Sequence, residues 1–352
     1  MDKITDPTEN RVLEAAVQAA RNLGIEIQVD PNIHKDLVGG DGVVRITCGV
    51  QDLFYVASVR RTLHPATLGV ALQQIERLSQ QAILVTDYVT PALADELKAR
   101  DIAFLDTAGN AYIKNGPFLV WVKGQKRLEK TITHAAGRAF QPTGLQLLFT
   151  LLCNPQAVNL PYRELGKMSG AAHGTVGWVI PDLQQLGYIR DLNGKRGTRR
   201  LFNLDRLLEQ WVDAYVRALR PRTLLARYFV PTLEGWKDWQ PAEHGALWGG
   251  EPAAALLTGY LRPGVLTLYA EKMPNLLAAR QKFMKEPAPG HTAVVELRKR
   301  FWNFPAESDP GRGDLVPPLL VYADLLATGD ARCIETAKMI YENHIARLFT
   351  QS

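Results

Sequence analysis

The chain has 352 residues, 46% hydrophobic and 22% charged, a composition that excludes disordered and fibrous classes and leaves room for two or three folded domains. No window approaches the about 18 consecutive apolar residues of a membrane span, and the opening MDKITDPTENRVLEAA lacks the apolar run of a signal peptide, so a cytoplasmic protein is expected. The net charge of +5 is unevenly placed: residues 138–230 carry thirteen Lys or Arg against six acids, a net +7, which leaves −2 for the remainder, as expected of a segment that meets a polyanion.

The first 135 residues alternate helix and strand. ENRVLEAAVQAARNLG has apolar residues at helical spacing and closes on Gly24. IEIQVD, GVVRITCGV and DLFYVASV are predicted strands, rich in β-branched and aromatic residues. A helix over HPATLGVALQQIERLSQ and a strand over AILVTD follow; TPALADELKARD is then a helix capped by Thr90 with Pro91 in its first turn. AFLDTAGNAYI and FLVWVKG complete the unit as strands, joined by a polar turn of Asp106, Thr107, Gly109 and Asn110.

The order of these elements, with DLFYVASVRRTLHP, resembles the restriction-endonuclease-like fold. That fold implies an Asp on one strand and a Glu-x-Lys on the next, holding a divalent ion and assisting the attacking water. Here the second motif reads Ser58-Val59-Arg60, and serine cannot replace a carboxylate charge. Glu14, Asp41 and Asp52 are the remaining candidate acids, and surface positions explain them as well. The expected domain over 1–135 is therefore a degenerate, inactive nuclease scaffold. Cys48, Cys153 and Cys333 lie far apart with no CxxC pair and are expected to be buried reduced thiols. The scattered histidines offer no metal site, and no cofactor is expected.

Past the polar link QKRLEKTITHAAGR, the segments PTGLQLLFTLLCNP, PYRELGKMSG and AHGTVGWVIPDLQQLG are predicted as three short helices. YIRDL, the turn NGKRGTR and RLFNL form a hairpin after them. Three helices and a hairpin in this order are the layout of a winged helix-turn-helix, expected over 136–230. Leu165, Met168, Val176, Val179, Leu183 and Leu186 supply the packing face of its helices, leaving His173, Thr175, Trp178, Asp182 and Gln184 for the outside. His173, Thr175 and Trp178 are the candidate DNA-facing residues of the third helix. Lys195, Arg196, Arg199 and Arg200 of the hairpin are candidates for backbone phosphates or a minor groove. Gly194 and Gly197 let the turn bend. Pro181 inside the third helix removes a hydrogen bond and is expected to kink or shorten it.

LDRLLEQWVDAYVRALRP is a long amphipathic helix, and 231–352 is expected to be a further α/β domain ending in two helices. Gly249 and Gly250, ahead of Glu251, sit at a helix start but within no phosphate-binding motif. Asp324, Asp330, Arg332 and Glu335 are the polar members of the final helix pair.

The combination of ILVTDYVTPALADELKARDIAFLDTAGNAYI, the winged-helix segment, WGGEPAA and LLVYADLLATGDARCIETA resembles the AbiEi-like antitoxins and transcriptional regulators, in a branch with an added nuclease-like N-terminal domain. The resemblance implies a non-enzymatic autorepressor that binds double-stranded DNA at its own promoter. It also implies a functional pairing with a nucleotidyltransferase-type toxin. Pairing on inverted half-sites would make the chain a homodimer. A divalent-metal nuclease using the first domain and a protein-interaction scaffold are the competing readings.

Overall fold

Val12, Leu13, Ala16, Val17 and Ala20 are buried along one stripe of the first helix, α1 (Pro7–Asn22), of the computed structural model. The structure describes residues 7–30, 40–48, 51–60, 63, 67–78, 81–126, 138–191, 198–289, 293–304 and 314–350. They belong to two compact units, Met1–Ala135 and Ala136–Ser352, so the boundary expected at 230/231 falls inside the second.

In the first unit seven strands stand in chain order across one sheet: β1 (Ile27–Val29), β2 (Gly42–Cys48), β3 (Gln51–Arg60), β4 (Ala82–Thr86), β5 (Phe104–Asp106), β6 (Ala111–Asn115) and β7 (Phe118–Val122). The central β3–β4 and β4–β5 pairs are parallel, and the flanking pairs are antiparallel. Helices α2 (Leu68–Arg77) and α3 (Pro91–Ala99) make the two crossovers that parallel pairing demands. The expected cap is present, Thr90 Oγ1 accepting from Leu93 N at 3.4 Å. Strand alternation places Tyr55, Ala57, Val59, Ile83, Val85 and Leu105 in the core under α1. On the opposite face the α3 residue Lys98 sits 4.3 Å from the Trp121 ring centroid, beside Phe104 and Tyr112.

The polar turn after β5 is organised by one carboxylate. Asp106 is fully buried. Its Oδ1 accepts from Ala108 N (2.9 Å) and Asn110 N (2.8 Å), and its Oδ2 from Val89 N (2.8 Å) and Asn110 Nδ2 (2.7 Å). Burial pushes this carboxyl above its ordinary range, against the pull of those four donors. Gly109, at φ +94°, closes the turn.

The second unit begins with three helices, α4 (Pro142–Cys153), α5 (Tyr162–Ser169) and α6 (His173–Gln185). The short antiparallel hairpin β8 (Ile189–Asp191) and β9 (Arg199–Leu201) follows. Pro181 neither ends nor shortens α6, which corrects that expectation. Pro181 and Gly177, whose carbonyl loses its partner, are both exposed, so water can take the missing bond.

Helix α7 (Leu204–Ala214) continues through a π turn (Tyr215–Leu219) into Arg220–Thr223. The chain then builds a four-stranded sheet, in the order β10 (Leu224–Val230), β13 (Ala293–Lys299), β12 (Val265–Ala270), β11 (Ala246–Gly249). Strands β10 and β11 escaped the sequence reading, because LLARYFV extends the preceding helical pattern and ALWG is only four residues long. Helices α8 (Gly250–Thr258), α9 (Asn275–Arg280), α10 (Pro318–Leu326) and α11 (Ala331–Ile340) complete the unit.

Aromatic packing explains why the helices and this sheet share a core. Phe149 of α4 stacks on Trp211 of α7 at 5.4 Å, and Trp211 stacks on Tyr215 at 4.8 Å. Phe149 also meets Phe301, Trp302 and Phe304 where the chain leaves β13. Asn303 then caps α5, its N and Nδ2 donating to the Met168 and Lys167 carbonyls at 2.8 and 2.9 Å.

A buried polar network crosses the same interface. Asp324 of α10 accepts from Tyr215 Oη (2.9 Å), Tyr269 Oη (2.8 Å) and Arg220 Nε (2.8 Å). Burial, then the Asp324 charge, pushes both tyrosines upward, so they stay neutral donors. Arg298 donates to the Arg220 carbonyl and pairs with Glu296 at 2.6 Å, and Arg227 reaches Glu296 from the edge strand at 2.9 Å. Burial pushes the Glu296 carboxyl up, but Arg298, Arg220 and Arg227 together hold it below its ordinary 4.5.

A depressed folded value stabilises above pH 4.5 and is lost as the pH falls through it. The stability difference between wild type and Glu296→Gln is therefore expected to shrink below pH 4.5, measured by chemical denaturation across a pH series. A difference constant with pH would contradict this.

The neighbouring glycines are required by close approach. A Cβ on Gly249 would lie 2.5 Å from the Tyr269 ring, and Gly250 has φ +48° with Thr267 Oγ1 2.9 Å from the Cβ position. Glu251 accepts from Gly264 N at 2.7 Å, and Asp330 caps α11 through the Arg332 and Cys333 amides. Cys333 is buried, and burial pushes its thiol up to about 11. Cys153 is only half-buried, a correction to its expected burial, and the side chain of Cys48 lies outside the described residues.

Candidate nucleic-acid interface

The packing residues expected for the three-helix segment hold α6 in place. Leu165, Val176, Val179 and Leu183 are fully buried, and Met168 and Leu186 are half-buried. Of the residues expected outside, His173 is exposed at the first turn and Trp178 is half-buried. Thr175 is turned inward, 7% exposed. Being two positions from His173, it lies about 200° around the helix, on the core side. Asp182 accepts from Ala139 N at 2.8 Å, and Gln184 donates to Asp191 at 3.0 Å. Both are engaged in orienting α6 against its neighbours. The exposed stripe that remains is His173, Gly174, Gly177, Pro181 and Gln185.

The hairpin separates its cations by strand alternation. Arg199 faces inward with Leu201: its guanidinium lies 5.4 Å from the Tyr162 ring and 3.7 Å from Asp191. Its backbone exchanges two hydrogen bonds with the Asn159 side chain. Arg200 faces solvent. Directly opposite it across the ladder stands Arg190, also exposed, with its guanidinium 5.0 Å from the Phe202 ring. Sequence reasoning missed Arg190, although period-two alternation in YIRDL pointed to its outward face. Lys195 and Arg196, with Gly194 and Gly197, lie outside the described residues. Exposed Arg163 and Lys167 on α5 add cations at i, i+4 spacing.

The candidate acids of the first unit form no comparable cluster. Asp41 adjoins β3, where its Oδ2 accepts from Val59 N at 2.8 Å, and Ser58 and Arg60 are buried nearby. Arg60 donates to Gln74. Glu14 is exposed on α1, across the sheet from Ser58 and Arg60. Asp52, exposed, accepts from Thr47 Oγ1 at 2.8 Å and faces Arg45 at 3.5 Å. It is about 20 Å along β3 from Ser58. Among the described residues no group of three His, Cys, Asp or Glu could hold a metal ion, and no helix is long and apolar enough to cross a membrane.

Residues 200–346 match the family described as transcriptional regulator, AbiEi antitoxin, type IV TA system. The function expected from the sequence, antitoxin and transcriptional regulator of a type IV toxin–antitoxin system, is the one this description names, and the description is of a regulator rather than an enzyme. The match opens at Arg200 in β9 and runs through α7, the four-stranded sheet and α11; α4–α6 and the first unit lie outside it. No curated protein and no solved structure matches the chain.

Proposed function

We propose that the chain is a DNA-binding autorepressor, the antitoxin of a type IV-like toxin–antitoxin system, whose residues 138–201 form a winged helix-turn-helix. In this reading the first unit is a degenerate restriction-endonuclease-like scaffold, with Ser58 where a metal-binding acid is needed. The partners are double-stranded DNA at its own promoter, a second copy of the chain and, functionally, a nucleotidyltransferase-type toxin. His173 and Trp178 present the first turns of α6 to the duplex. Lys195, Arg196 and Arg200 of the wing, joined by Arg190, meet the polyanionic duplex at its phosphates or minor groove, while Arg199 braces the wing from within.

The observation that carries the reading is the exposed Arg190–Arg200 pair. Like charges placed opposite each other on an antiparallel ladder repel, and among the described residues neither has a carboxylate partner. A polyanion removes that repulsion.

The test is fluorescence anisotropy against the promoter fragment over a salt series. Each phosphate contact contributes about −0.9 to the slope of log K against log salt, so Arg190→Ala with Arg200→Ala is expected to make the slope about 2 less negative. Arg199→Ala is expected to change it by less than either. An unchanged slope in the double variant would remove the hairpin from the interface.

A further inference from the structure

Resting on the duplex-binding reading above, we propose that this chain selects its DNA by minor-groove shape, gripping a narrow A·T-rich groove with Arg190 and Arg200, and takes little specificity from base edges through α6. Base reading in the major groove needs forked donors and acceptors, such as Arg on guanine or Asn and Gln on adenine. The exposed stripe of α6 offers His173, Gly174, Gly177, Pro181 and Gln185. His173 and the half-buried Trp178 can each present a single donor to a purine N7, an acceptor that adenine and guanine share. Gln185 has a suitable amide, but twelve residues separate it from His173, about 18 Å along the helix axis. Asp182 and Gln184 are already bonded, and Thr175 is turned inward.

The two glycines of that stripe have no internal purpose. A Cβ at Gly174 or Gly177 would meet nothing within 4 Å, and neither has positive φ. Glycine nevertheless weakens a helix relative to alanine, most of all at an interior position such as Gly177. Their effect is a smooth outer surface that lets α6 lie close against a duplex without interrogating it. The hairpin has the complementary chemistry. Arg190 and Arg200 stand side by side on its solvent face, and a narrow A·T minor groove concentrates the negative potential that draws arginine in.

Base analogues separate the two grooves. Inosine·cytosine in place of A·T keeps the minor-groove surface of A·T but presents the major-groove pattern of G·C, whereas 2,6-diaminopurine·thymine adds an amino group to the minor groove alone. The full chain should be titrated by anisotropy against a duplex with a central A·T run and against both analogue versions. Inosine·cytosine is expected to change Kd less than about threefold, and diaminopurine·thymine to weaken binding about tenfold. In the Arg190→Ala, Arg200→Ala double variant, with an unchanged circular dichroism melt, that tenfold ratio should fall towards one. The reverse ranking, or equal affinity for all three duplexes, overturns the shape proposal while leaving duplex binding intact. Failure to bind any duplex, the promoter fragment included, overturns the DNA-binding reading itself.

Discussion

Replacing Asp324 with alanine is expected to destabilise the second unit by about 3–5 kcal/mol, the scale of a buried charge pair broken from one side. Asp324 is 1% exposed and accepts from Arg220, Tyr215 and Tyr269 at once. Its removal leaves a guanidinium without its counter-charge and strips two buried hydroxyls of their acceptor. Asp324→Asn isolates the charge from the geometry. Its amide oxygen can keep the Tyr215 and Arg220 bonds, and its nitrogen can donate to the Tyr269 oxygen, so asparagine is expected to cost less than alanine by the lost hydrogen bonds, about 1–2 kcal/mol, while keeping the cost of the uncompensated Arg220 charge.

Chemical denaturation gives both numbers, and hydrogen exchange shows where protection is lost. The aromatic stack from Phe149 through Trp211 to Tyr215 joins the network to the helices. Protection should therefore fall together in α4, α7, α10 and β12. Loss confined to α10 would show that helices and sheet are separate cooperative units.

The second large effect is expected at Asp106. Alanine there removes the acceptor of three backbone amides and one side-chain amide, three of the four belonging to the buried residues Val89 and Asn110. A buried donor left unsatisfied costs about 1–3 kcal/mol, so the first unit should lose about 4 kcal/mol or more. Asp106→Asn keeps the two bonds made by Oδ1 and turns an NH2 group against the two donors now served by Oδ2. It should cost about half as much. Exchange protection at the β4, β5 and β6 amides is the readout. Equal stability of alanine and wild type would mean that this carboxylate does not organise the turn.

The second of these sites was partly visible in the letters. A turn of Asp, Thr, Gly and Asn between two apolar strands marks a sharp bend, but nothing local shows that Val89, seventeen residues earlier, donates to the same carboxylate. Asp324 was legible only as a polar member of a helix. Tyr215 and Tyr269 are 109 and 55 residues away, each inside an otherwise ordinary apolar pattern.

The sequence by itself determined the helices and strands with clear periodicity, the Thr90 cap, the three-helix and hairpin order, and the segment where positive charge concentrates. All of these rest on interactions within a few residues of each other, or on a simple sum of charges. It also carried the resemblance to the AbiEi antitoxins, matched over residues 200–346.

Only the tertiary structure decided which cations are available. Arg199 and Arg200 are chemically identical neighbours, yet one packs on Tyr162 and Asp191 while the other faces solvent. Alternation requires opposite faces, but which face is covered depends on Tyr162 and Asn159, some forty residues away. Thr175 differs for the same reason: its small polar side chain suits either face of α6, and the helices packed around it select the inner one. Sequence patterning sets the period of exposure along each element, whereas long-range packing sets its phase, and the phase decides which residues a partner can touch.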